Sequence, residues 1–100
     1  SIHIGSTDCG EGKPTSPPST PCGNSNRPTY RLEGFDPKSS KVVLDLGALL
    51  AETDITVNAP KTASGCMSGP GDADCTAIMN RLGLPFDGHP SAGQKWVRAE

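Results

Sequence analysis

The sequence is poor in the side chains that build a large core. Leu, Ile, Val and Phe together number seventeen, and only 4% of the chain is aromatic. So low an apolar content signals disorder when it accompanies a high net charge. Here the formal charge is −2, so an ordered unit with a thin core is expected. No run approaches the ~20 apolar residues of a membrane-spanning helix. An initiator Met, a basic leader and a signal-type apolar run are also missing, so the chain reads as a mature or excised piece. Lys and Arg are scattered singly from Lys13 to Arg98, without the clustered basic face that phosphate contacts need, which argues against nucleic acid as a partner.

Catalytic patterns are lacking as well. Gly10, Gly12 and Gly23 lie in a Pro-rich tract without the Lys-Ser/Thr ending of a phosphate loop. There is no nucleophile elbow, and nothing marks a carboxylate pair. His3, Ser6 and Asp8 are near in sequence, but alternation along a strand does not bring them into a triad. An enzyme is not expected. No internal repeat indicates a solenoid.

What the chain does have is four cysteines, twelve glycines and ten prolines. An even cysteine count in a short, polar chain points to an oxidising compartment, periplasmic or extracellular. One hundred residues suit a single unit spanning 1–100. Ile2 and Ile4 alternate with His3 and Gly5, which puts the isoleucines on one face of a strand and His3 on the other. A strand that opens the chain in this way, together with the thin core, suggests an incomplete domain lacking upstream strands. Residues 10–28 are Pro-, Ser- and Gly-rich and read as a long loop. Thr29–Glu33 and Asp54–Asn58 alternate as strands, and Lys41–Leu46 reads as a further strand that runs on through Gly47, a bulge or short turn, to Leu50. One short helix is expected at about 74–82, capped by Asp72 or Asp74, with Cys75, Ile78, Met79 and Leu82 on one face and Gly83 as its stop. Lys95–Ala99 forms a last strand, with Trp96 on the face opposite Val97. The fold class is therefore mainly β, an antiparallel β-sandwich-like arrangement with one helix and long disulfide-clasped loops.

The cysteine spacings, C-x12-C, C-x43-C and C-x8-C, do not match the short hooks of zinc ribbons or fingers. Three disulfide connectivities are formally possible. Local pairing, Cys9 with Cys22 and Cys66 with Cys75, is favoured because each bridge closes a loop of turn residues, stabilising by about 2.5 to 3 kcal/mol.

Taken together, several segments resemble a known family. Ile2-His3-Ile4-Gly5-Ser6-Thr7-Asp8-Cys9 resembles the H-[LI]-G-S-T-x-C segment of MbnP-like proteins, the metallo-mystery pair four-Cys motif family. Leu32–Pro37, Val42–Leu46 with Leu49-Leu50, Gly65–Pro70 with Asp74-Cys75, Leu82–Leu84 and Gly93-Gln94 follow in the same order. The resemblance covers nearly the whole chain and rests on the combination of four cysteines with the Gly-Ser-Thr and Cys-Met-Ser pieces. It implies a bacterial periplasmic or surface protein that works beside a di-haem cytochrome c peroxidase-like partner and binds copper in some members. It also implies an N-terminal half of the same protein carrying further strands, a second His segment and a Trp that the partner oxidises to kynurenine. The His of the motif maps onto His3; where the family tends to have Phe-Phe, this chain has Trp96-Val97.

His3 is accordingly the metal ligand expected, in one copper site, as Cu(I), of low coordination number and completed by residues outside this chain, since imidazole suits copper. His89 lies in a loop sequence and is expected in solvent. Met79 sits on the helix's apolar stripe, and Met67 is expected to pack against the adjacent disulfide. The alternative reading is a secreted, disulfide-stapled interaction module, an adhesive domain or inhibitor, that holds no metal.

Overall fold

Regular structure is sparse in the computed structural model, which describes residues 1–10 and 20–100. Residues 11–19 of the expected 10–28 loop lie outside the described residues. Two strands, β1 (Val42–Leu44) and β2 (Val97–Ala99), pair antiparallel with Val43 opposite Arg98. Two helices accompany them, α1 (Leu46–Leu50) and α2 (Thr76–Leu82), the second entered through a single 3-10 turn at Ala73–Cys75.

Lys41 and Glu100 exchange two backbone hydrogen bonds, of 2.6 and 2.9 Å, and the Asp45 N–H donates to the Trp96 carbonyl at 2.8 Å. By the alternation of an antiparallel ladder, the backbone groups of Val42 and Leu44 face the opposite, open edge. The outer edge of β2 is covered at its Val97 end by one side chain. The Gln94 amide oxygen accepts from the N–H groups of Trp96 (3.0 Å) and Val97 (2.8 Å), and its NH2 donates to the Val97 carbonyl at 2.8 Å.

The helix at the C-terminal side follows the sequence closely. Asp72 Oδ1 accepts from the Asp74 N–H at 3.0 Å, and Gly83 closes α2 at φ +86°, a left-handed conformation that suits glycine. Ile78, Met79 and Leu82 are buried and join Leu49, Leu84, Phe86 and the Cys66–Cys75 disulfide in the core, with Ile4, Leu50 and Trp96 packed against it. The second disulfide joins Cys9 to Cys22, so both expected pairings are present.

Elsewhere the alternation misleads. The expected strand through Leu46 stops at Asp45, whose Oδ1 accepts from the Ala48 N–H at 2.8 Å and starts α1 instead. The expected strand Asp54–Asn58 is a turn, because Asp54 Oδ1 accepts from both the hydroxyl (2.6 Å) and the N–H (2.9 Å) of Thr56. Thr29–Glu33 joins no ladder among the described residues. It is held by Tyr30, whose hydroxyl donates to the Leu82 carbonyl and accepts from Trp96 Nε1, both at 2.9 Å. The architecture of the described residues is thus a small mixed fold, one two-stranded ribbon with two short helices and two disulfides. The second sheet that a mainly β sandwich requires is not formed among them. No helix of the described residues is long and apolar enough to cross a membrane.

Candidate functional site

His3 lies in a short extended segment held against the loop before α2. Ile2 forms a parallel bridge with Cys66, and the His3 N–H donates to the Cys66 carbonyl at 2.8 Å. Two residues beyond Cys66, the Ser68 hydroxyl takes over from the backbone: it donates to the His3 carbonyl and accepts from the Gly5 N–H at 2.8 Å. Ser68 is 2% exposed and stands at φ +61°, so its own backbone turns away while its side chain continues the ladder. Gly65 lets the segments meet, since a Cβ there would lie 2.0 Å from the Ser1 carbonyl oxygen. Cys66 is in turn tied to Cys75 at the head of α2. The backbone of His3 is therefore fixed on both sides and anchored covalently to the core.

Alternation along this pair sorts the side chains only in part. Ile4 packs on the core and Cys66 and Ser68 are buried, whereas His3 is exposed and so is Ile2, at 41%, so of the two isoleucines expected on one face only Ile4 is covered. The His3 imidazole makes no hydrogen bond with the described residues. Met67 departs from expectation: placed between two inward residues, it turns outward and is 40% exposed rather than packed on its disulfide. Met79 is wholly buried and His89 is exposed, both as expected. His89 closes a tight turn through paired backbone bonds with Phe86, both 2.9 Å. Trp96 is partly buried, its ring edge-on to Tyr30 at 6.1 Å between centroids.

Among the described residues, no three His, Cys, Asp or Glu side chains converge to hold a metal ion. All four cysteines are in disulfides, which removes thiolate from the donor set. The donors left to a soft metal are imidazole and thioether. Behind the Ile2–Cys66 bridge lies an open groove of about 650 Å³, lined by Ile2, Leu50, Thr53, Ile55, Val57 and Ile78 among others. Ile55 and Val57 are 76% and 65% exposed on its rim, and the buried Thr53 hydroxyl has no hydrogen-bond partner among the described residues. The sequence gives no direct sign of this groove, because its wall comes from a segment that alternation assigns to a strand.

No family model matches this chain, and no curated protein or solved structure matches it either.

Proposed function

We propose that this chain is a copper-binding protein of an oxidising compartment and that His3 is the ligand it contributes. The observation that carries the reading is the setting of His3: its backbone N–H and C=O are both bonded to the Cys66–Ser68 segment while its imidazole is exposed and uncommitted among the described residues. Rigid mounting of a free imidazole is what a metal site asks of its scaffold. Two disulfides fit a periplasmic or surface location.

Within that class, the resemblance of residues 2–9 and 65–75 suggests an MbnP-like protein, acting in copper handling beside a di-haem cytochrome c peroxidase-like partner. Ligands beyond those of this chain would then come from the N-terminal half that such proteins carry. Strands of that half would meet the open edge of β1 and complete an antiparallel sandwich. Copper bound at His3 would supply a soft, redox-active cation. The protein itself turns over no small molecule.

The test is a copper titration in competition with a Cu(I) chelator, on the full-length wild type and His3→Ala. A loss of tenfold or more, about 1.4 kcal/mol, is expected for the variant. Equal affinities would overturn the assignment.

A second reading is favoured by the groove beside Ile55 and Val57. Exposed apolar residues around a concavity fit a secreted interaction module that holds a partner's apolar segment and no metal. It is distinguished by the same experiment, since it requires His3→Ala to leave copper affinity unchanged.

A further inference from the structure

The parallel bridge that fixes His3 also fixes its neighbour across the ladder. Ile2 stands opposite Cys66 in a single parallel bridge, so His3 and Met67 are the residues that follow it on the two segments; beyond them the Ser68 hydroxyl, not its backbone, bonds to His3 and Gly5. Residues directly opposite in a ladder project to the same face, and successive residues alternate between faces. Ile4 packs on the core and Cys66 is buried, whereas His3 and Met67, the next residue of each segment after the bridge, are both exposed.

We propose that Met67 is the second soft donor of the copper site, its thioether sulfur and the His3 imidazole holding one Cu(I) ion between them. The inference rests on the copper reading of His3 given above and names the residue that this chain adds to it. Side chains on one face of neighbouring extended segments start about 4.8 Å apart, a separation that a single metal ion bound to a donor from each can bridge. Met67 reaches across with an unbranched, three-torsion side chain. Its rotation outward is dictated by its neighbours, since Cys66 and Ser68 are 1% and 2% exposed. A thioether adds little for Cu(II) or Zn, whose preferred donors are nitrogen and oxygen, but selects Cu(I). Met67 thereby sets which oxidation state the site retains.

The experiment compares wild type, Met67→Leu and His3→Ala as full-length protein, by chelator competition for Cu(I) and separately for Cu(II). It adds a titration with Ag(I), a redox-silent stand-in for Cu(I), followed through the methionine methyl resonances. Met79 is wholly buried in the core and its methyl serves as an internal control for folding in Met67→Leu. Met67→Leu is expected to weaken Cu(I) tenfold or more while leaving Cu(II) within twofold, and Ag(I) should shift the Met67 methyl and not that of Met79. If Met67→Leu binds Cu(I) as wild type does while His3→Ala does not, Met67 is not a ligand and His3 stands alone. If neither variant changes Cu(I) affinity, both assignments fall. An equal loss of Cu(I) and Cu(II) in Met67→Leu would also overturn the proposal, because a thioether ligand must discriminate between them.

Discussion

Single side chains perform tasks here that strands perform in larger sheets. The Ser68 hydroxyl holds the backbone groups of two residues, the His3 carbonyl and the Gly5 N–H, and is itself buried. Ser68→Ala removes both bonds at once. At roughly 1 kcal/mol net for each bond, a destabilisation of about 2 kcal/mol is expected in urea denaturation. If His3 ligates copper as proposed, the same hydroxyl holds that ligand in place, and copper affinity should fall in Ser68→Ala even though no ligand is touched. A stable Ser68→Ala protein with wild-type copper affinity would show that the ladder does not position the imidazole. Carboxylates act in the same local way. The Lys38 N–H and the Ser39 hydroxyl hold the Asp36 carboxyl below its ordinary value of 3.8; the Ala48 N–H and Arg98 do so for Asp45, and the Thr56 hydroxyl and N–H for Asp54. These bonds vanish on unfolding, so the unfolded chain takes up protons at higher pH than the folded one. Their stabilisation is complete above the ordinary carboxylate value and is lost as pH falls through the folded values. Urea midpoints measured from pH 6 down to pH 2.5 should therefore decline below about pH 4, and Asp45→Asn should show a shallower decline.

At the scale of elements, α2 carries the core. Met79 is the largest fully buried side chain and packs where α2, the Cys66–Cys75 disulfide and Leu49 of α1 meet. Met79→Ala is expected to cost about 2 to 5 kcal/mol, read as a lowered urea midpoint with little change in slope; a cost near zero would mean that this cluster is not the core. This helix was the most legible element in the sequence, because its cap, its apolar spacing and its Gly83 stop all lie within twelve consecutive residues. The disulfides were legible for the same reason, each closing a local loop. The strands were not. Lys41–Leu46 and Asp54–Asn58 both read as strands, yet Asp45 and Asp54 each use the side chain to bond a backbone N–H two or three residues ahead, turning one segment into a helix and the other into a turn. Period-two alternation describes which way side chains point and is silent about that competition. The candidate site was half legible: His3 stood out by residue type and motif, and its exposure followed from its alternation with Ile4. The outward turn of Met67 depends on the pairing of residues 1–5 with 65–68, some sixty positions apart, and no local pattern encodes it.

As a whole the molecule is loosely built, and covalent staples supply much of what its core does not. The Cα radius of gyration is 15.4 Å, against about 13 Å for a compact domain of a hundred residues. Val42, Leu44, Leu46, Ile55 and Val57 remain exposed, so much of a small apolar complement contributes nothing to burial. A bridge closing ten residues, as Cys66–Cys75 does, constrains the unfolded chain by about 2.7 kcal/mol, and Cys9–Cys22 by about 3 kcal/mol. Small domains have net stabilities of about 5–15 kcal/mol, so the two bridges together are comparable with the whole margin. Their roles nevertheless differ. Cys66–Cys75 lies within the core cluster and fastens the partner segment of His3 to α2, whereas Cys9–Cys22 lies outside that cluster, beside the Thr7–Asn24 bridge. The paired replacement Cys66→Ser with Cys75→Ser should lower both stability and copper affinity, because Ser68 and Met67 lose their anchor along with Cys66. Replacing Cys9 and Cys22 by Ser should lower stability by a similar amount and leave copper affinity of the folded fraction within twofold. Urea denaturation and chelator competition on the two double variants separate these effects. If both lose copper equally, the site depends on overall stability and not on the Cys66 anchor.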